Sequence, residues 1–204
     1  MTFAIDDALL PATLTARPMT DEEFTAFCAE HPELNFEMTA EGELIVMAPT
    51  HSDTGACNSD VAGQLSHWAK KDRRGIVCDS STGFVLPNGA RRSPDASWTL
   101  KSRIAQLGAN QRKSFWHLCP DFVIEVRSDS DRLKPLREKM TEYLAQGAQL
   151  GWLIDPENRS VEIYRTGGEV EKRSGIDTLE GEGPVAGFVL DLVSVWDPLA
   201  NLGS

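Results

Sequence analysis

Pro120-Asp121-Phe122-Val123-Ile124-Glu125-Val126-Arg127 is the stretch whose reading decides the fold. Its run of β-branched and aromatic residues reads as a strand. Alternation puts Phe122, Ile124 and Val126 on one face and Asp121, Val123, Glu125 and Arg127 on the other. One face is wholly apolar, so the strand belongs inside a sheet. The other face sets a carboxylate and a guanidinium two residues apart, where an unpaired buried charge is costly. A partner or a metal ion is implied. The bland alternative is an edge strand whose Glu125 and Arg127 face water or pair with each other.

Working outward, Asp95 in Ser93-Pro94-Asp95-Ala96-Ser97 also follows a proline at the start of a short strand, although Pro-Asp alone is a common turn dipeptide. Downstream, Asp131 and Pro135 start a helix that Gly147 closes. On it Leu136, Met140, Tyr143 and Leu144 form an apolar stripe, with Lys139 on its flank and Glu138 and Glu142 pointing away. Lys139 is therefore able to reach inward, or simply to snorkel along the core's border. GWLID and SVEIYR follow as strands around Pro156-Glu157-Asn158, and GFVLDLVSVW reads as β structure that finishes the sheet.

Upstream, Thr20 and Glu23 have capping-box spacing before a helix that runs to about His31. NFEM and ELIVMA form a hairpin around Ala40-Glu41-Gly42. A long helix starts at Ser52 or Asp53, both good N-caps, and ends in KKDRR and Gly75. Strands follow at Ile76 to Cys78 and near Phe84 to Leu86, and Lys101 to Ser114 reads as helix plus loop. The order predicts one domain over residues 1–204, core about 20–195, of the α/β (α+β) class with a mixed sheet flanked by helices.

Of the 204 residues, 41% are hydrophobic and 25% charged, enough for one good core. No stretch approaches the roughly 20 apolar residues that span a bilayer, and the first residues lack the basic start of a signal peptide, so a cytoplasmic protein without a membrane partner is expected. Cys28, Cys57, Cys78 and Cys119 stand singly, which suggests reduced thiols rather than a zinc site or disulfide framework. The net charge of -11 argues against non-specific phosphate gripping. Basic residues still cluster at Lys70, Lys71, Arg73 and Arg74, at Arg91 and Arg92, and at Arg132, Lys134 and Arg137, leaving room for a locally positive groove. His51, beside the hairpin, is in no metal-ligand spacing, and Trp116, in a polar loop, is the one tryptophan placed for nucleic-acid contact.

The succession of a hairpin (FEMTAEGELIVMAP), a PD strand (SPDASW) and a core strand with its helix (PDFVIEVRSDSDRLKPLREKMTEYLAQGAQLGWLIDP) resembles the Uma2 (DUF820) family of PD-(D/E)xK nucleases, from about Thr20 to Arg165. The resemblance implies a restriction-endonuclease-like core with an N-terminal β-hairpin extension and hydrolysis of a phosphodiester, with DNA as substrate. It also implies a divalent cation, Mg²⁺ or Mn²⁺, held by Asp95 and Glu125, hard oxygen ligands suited to it. Glu37 matches the family's additional acid, Glu43 being the weaker candidate. The ExK position departs from the pattern: Arg127 stands there, able to hold phosphate but always protonated. The lysine role falls to Lys139 on the following helix. Cutting both strands needs two active sites and so favours a homodimer. The competing class is a nuclease-fold protein with weak or lost chemistry that acts as a binding module.

Overall fold

The computed structural model describes residues 12–198 apart from 16, 18, 33, 48 and 49. It opens with a strand that the sequence pattern did not announce, β1 (Ala12–Thr15). Helix α1 (Asp21–Glu30) starts with the expected capping box: Glu23 N–H donates to Thr20 Oγ1 at 3.2 Å, and Thr20 N–H donates to the Glu23 carboxylate at 3.0 Å. β2 (Asn35–Met38) and β3 (Glu43–Met47) are the expected hairpin, with Gly42 at φ 90° in its turn, a conformation that favours glycine. The hairpin is no appendage. β1 flanks β3, while β5 (Phe84–Val85) and β6 (Arg91–Arg92) extend the other side, giving a five-stranded sheet in the order β1-β3-β2-β6-β5.

Helix α2 (Ser52–Asp72) buries Thr54, Cys57, Val61, Leu65 and Ala69, one stripe at helical spacing. Its boundaries differ from expectation at both ends. His51 is the N-cap and gives no side-chain cap bond, while Ser52 and Asp53 lie in the first turn; Arg73, at φ 64°, forms the C-cap. Gly75 instead begins β4 (Gly75–Asp79), where the indole of Trp98 packs so closely that a methyl group at residue 75 would overlap it. Gly75→Ala is therefore expected to overpack this contact and lower stability by about 1–3 kcal/mol, read as a shift of the urea midpoint.

The central sheet adds β7 (Ala96–Leu100), β8 (Phe122–Val126), β9 (Leu150–Asp155), β10 (Ser160–Arg165) and β11 (Glu171–Ser174) in the order β11-β10-β9-β8-β7-β4. The β8–β9 pair is parallel and the others antiparallel, so the sheet is mixed as predicted. The parallel pair needs a crossover, which α4 (Leu133–Ala145) supplies. β8 is buried at every position, so the edge-strand alternative fails. Phe122, Ile124 and Val126 join Cys57, Val61 and Leu65 of α2 in the largest core, while Val123 joins Met140 and Tyr143 of α4 in a second.

α4 begins after Arg132, one turn before Pro135. Between β7 and β8 the chain forms the short α3 (Lys101–Ile104) and a 3-10 turn at Gln111–Lys113, in keeping with helix plus loop. The C-terminal expectation holds only in part. β12 (Thr178–Glu180) and β13 (Val189–Asp191) pair with each other as a separate sheet, and the chain then turns into α5 (Val193–Trp196). The Asp191 carboxylate accepts from Val193 N–H at 2.9 Å, an oxygen that starts the turn where apolar content alone suggested more strand. Cys57 and Cys119 are buried, Cys28 and Cys78 half-buried, all as free thiols. No helix among the described residues is long and apolar enough to cross a membrane.

Candidate active site

Strand register brings the first two candidate residues together. Ala96 pairs with Ile124 across β7 and β8, which carries Asp95, one residue before β7, level with Glu125. Asp95 Oδ2 accepts from Val126 N–H at 2.8 Å, and Oδ1 accepts from Asn58 Nδ2 of α2 at 2.7 Å. Glu125 Oε1 accepts from Tyr143 Oη at 3.0 Å and from Lys139 Nζ at 2.8 Å, both reaching over from α4. Glu125 Oε2 has no hydrogen-bond partner among the described residues.

Glu37 arrives from β2 of the other sheet. Its Oε1 accepts from Lys139 Nζ at 2.7 Å and from Ser93 N–H at 2.8 Å, and its Oε2 from Arg92 Nη1 at 3.2 Å. Lys139, 13% exposed, thus sits as a bridge between two carboxylates that are almost fully buried, and it joins the two sheets. Arg92 continues the chain of charges: its Nε donates to Glu142 at 2.6 Å, which also accepts from Asn88 at 2.9 Å. Glu142 therefore does not point away, as helical phase suggested; the neighbouring sheet offers it an arginine.

The charges are strongly perturbed. Burial pushes the Glu125 carboxyl up to about 8; Lys139 opposes this, while Asp95 and Glu37 add to it. Burial likewise pushes Asp95 up to about 6, against the Val126 N–H and Lys139. Burial acts in the same direction on Glu37, but the charges of Lys139 and Arg92 outweigh it and hold Glu37 below the usual carboxylate range. Burial disfavours the Lys139 ammonium, yet Glu125 and Glu37 more than compensate and raise it above the ordinary lysine value. Lys139 is accordingly a fixed cation and donor, unsuited to accept a proton.

Asp95, Glu125 and Lys139 line a cleft of about 510 Å³, and Glu37 does not reach its wall. The walls of the cleft include Phe36 and Phe115, Asn58 and the exposed His51. The cations on its wall are each engaged: Arg91 with Asp21 at 2.9 Å, Arg92 with Glu37 and Glu142, and Lys139 with Glu37 and Glu125. The expected positive groove is thus neutralised by its own acids. None of Lys70, Lys71, Arg73, Arg74, Arg132, Lys134 and Arg137 lines the cleft.

Arg127 is not brought to the cluster. β8 ends at Val126, and the Arg127 guanidinium turns to Asp155 at 3.1 Å and Glu157 at 3.0 Å. These acids close β9 and the turn after it, a stronger attraction than the period-two phase of the strand. Glu43 is exposed at the start of β3, and Trp116 donates to the Arg112 carbonyl at 3.4 Å and packs on Phe84, outside the cleft lining; its neighbour Phe115 lines the cleft instead. Sequence reasoning missed Asn58 and Tyr143 as site residues, and held Arg92 only as part of a basic cluster. Asn58 was within reach of it, being four residues after Thr54 and three before Val61 on the buried stripe.

A divalent cation suits the pair Asp95 and Glu125. Mg²⁺ keeps several waters and takes one or two carboxylates, and both carboxyls are driven toward protonation by burial, Glu125 also by Asp95, a cost that a bound cation relieves. Glu37 is saturated by Lys139, Arg92 and Ser93 and is not available as a direct ligand. Consistent with this, the described residues hold no group of three or more His, Cys, Asp or Glu set to bind a metal.

Comparison with known proteins places this geometry. The solved structures include one described as a "putative nuclease belonging to DUF820" from Anabaena variabilis ATCC 29413, at a TM-score of 0.70 and 22% identity over 88% of this chain and 98% of that one, so the fold is shared. A DrdV–DNA complex matches at a TM-score of 0.34 and 17% identity, over 54% of this chain and 9% of the other. No curated protein matches. The Uma2 family, described as "Putative restriction endonuclease", matches over residues 21–193, which take in the hairpin, both carboxylate strands and α4, and the chain belongs to that family.

Proposed function

We propose that this protein is a divalent-cation-dependent nuclease that hydrolyses phosphodiester bonds of DNA at Asp95 and Glu125. The observation that carries the reading is the convergence of Asp95, just before β7, Glu125 of β8 and Lys139 of α4 on one cleft, with both carboxyls raised by burial. Asp95 and Glu125 would hold Mg²⁺ or Mn²⁺, which when bound supplies a Lewis acid for the scissile phosphate and a water of lowered pKa.

The chain's own groups do the rest. Asp95 is oriented by two donors, Val126 N–H and Asn58 Nδ2. Glu125 is oriented through Oε1 by Lys139 and Tyr143, which leaves Oε2 for the cation. Two of the three Lys139 donors go to Glu37 and Glu125, and the third remains for the attacking water or a phosphate oxygen. Its positive charge then stabilises the charge that develops during attack. Glu37 acts as the anchor of Lys139. Arg127 has no part in this scheme, its charge being spent on Asp155 and Glu157.

A second reading, a binding module of nuclease fold, draws on the net charge of -11 and the paired cations of the cleft. Mn²⁺ calorimetry on wild type and Asp95→Ala, with a nicking assay on supercoiled and single-stranded DNA, separates the two. Metal-dependent nicking and Mn²⁺ binding that both vanish in the variant support the nuclease; a wild type that neither binds Mn²⁺ nor nicks DNA leaves the binding module. Cutting of both strands needs two active sites and so favours a homodimer, checked by sedimentation of the wild-type chain.

A further inference from the structure

Asn58 carries more than a link between helix and sheet. It is half-buried, beside the buried stripe of α2 and on the cleft wall. A carboxylate offers only acceptors, so the 2.7 Å contact to Asp95 Oδ1 fixes which end of the amide is nitrogen. The carbonyl oxygen, Oδ1, is then buried with no hydrogen-bond partner among the described residues. A buried acceptor without a donor is costly and calls for a physical reason, such as a water or an ion. Elsewhere in the cluster Glu37 holds three donors, Asp95 one on each oxygen and Glu125 two on Oε1, so the open acceptors are Glu125 Oε2 and Asn58 Oδ1.

We propose that Asn58 is a positioning residue of the metal centre, its amide nitrogen fixing Asp95 as a ligand and its Oδ1 accepting a hydrogen from a water of the cation's hydration shell. This inference rests on the nuclease reading above. It explains how a centre with only two available carboxylates manages: a neutral oxygen takes the place that a third acid would otherwise fill. It also ties α2, the longest helix among the described residues, to the reaction centre, although none of its charged residues lines the cleft.

The test is Mn²⁺ calorimetry on the full chain for wild type, Asn58→Leu and Asn58→Asp, with thermal midpoints measured with and without Mn²⁺. Asn58→Leu is expected to weaken Mn²⁺ binding about 10- to 100-fold, the usual cost of losing a group that orients a ligand, without a matching fall in the metal-free midpoint. Should it not fold, Asn58→Ser reads the same loss. Asn58→Asp is expected to lower the metal-free midpoint at pH 8, because it sets a second negative charge against Asp95, and to tighten Mn²⁺ binding by about tenfold, since affinity follows ligand charge. A purely structural asparagine would not move the two readouts in opposite directions. Mn²⁺ affinity of Asn58→Leu within twofold of wild type, or weakened in Asn58→Asp, overturns the proposal. A wild type that binds no Mn²⁺ overturns the nuclease reading, and this inference with it.

Discussion

Lys139→Met is expected to lower stability by about 3–5 kcal/mol at pH 8 and to abolish cleavage, because it leaves two buried carboxylates facing each other with no cation between them. The lysine amine is 2.7 Å from Glu37 and 2.8 Å from Glu125, with little solvent to take its place. Methionine keeps the length and apolar character of the stem, so the loss reports the charge rather than a cavity. The pH dependence identifies the cause. Without Lys139, Glu37 keeps Arg92 and the Ser93 N–H, while burial at Glu125 loses its main opposing charge and its folded pKa stands still further above the unfolded one. A group of that kind stabilises fully below its unfolded pKa and loses that contribution as pH rises through the folded value. Urea titrations of the variant should therefore show much of the loss recovered at pH 5. Equal losses at pH 5 and pH 8 would mean that packing, not charge, is what Lys139 supplies.

For Glu125→Gln the expected stability change has the opposite sign. In the metal-free protein burial raises the Glu125 carboxyl to about 8 and Asp95 to about 6, both above the usual carboxylate range. Both groups favour the fold below the unfolded pKa and lose that contribution as pH climbs through about 6 and then about 8. Glu37, held below its usual value, contributes in the other direction: its stabilisation is present above the unfolded pKa and fades only in stronger acid. The metal-free wild type should thus be less stable at pH 8.5 than at pH 6.

Glutamine keeps an Oε1 for Lys139 and Tyr143 and removes the charge. Glu125→Gln should therefore raise metal-free stability at pH 8 by about 1–3 kcal/mol while cutting metal-dependent cleavage by about 10³-fold or more, a trade of stability for activity common at such sites. Added Mn²⁺ should raise the wild-type midpoint most at high pH and leave the variant's unchanged. A metal-free variant less stable than wild type at pH 8 would show that the carboxylate is a structural ion-pair partner rather than a group held in readiness for a cation.

What the sequence determined by itself was local. The alternation of Phe122 to Val126, the Thr20–Glu23 capping box and the Gly42 turn all depend on neighbours within one or two turns, and each is found as read. Asp95, Glu125, Lys139 and Glu37 were legible because a strand or helix phase pointed each inward, or because the resemblance to Uma2 supplied the position. Only the tertiary structure decided which charges meet. Arg127 shares the phase of Glu125 but is taken by Asp155 and Glu157. Glu142 shares the phase of the solvent face but is drawn to Arg92, and Glu37, the family's additional acid, is paired with Lys139. Asn58 and Tyr143 gain their meaning only when α2 and α4 close on the sheet from opposite faces. The reason is physical: periodicity fixes which way a side chain points, whereas a buried charge is settled by whatever opposite charge lies nearest in space, and that neighbour is set by the packing of elements far apart along the chain.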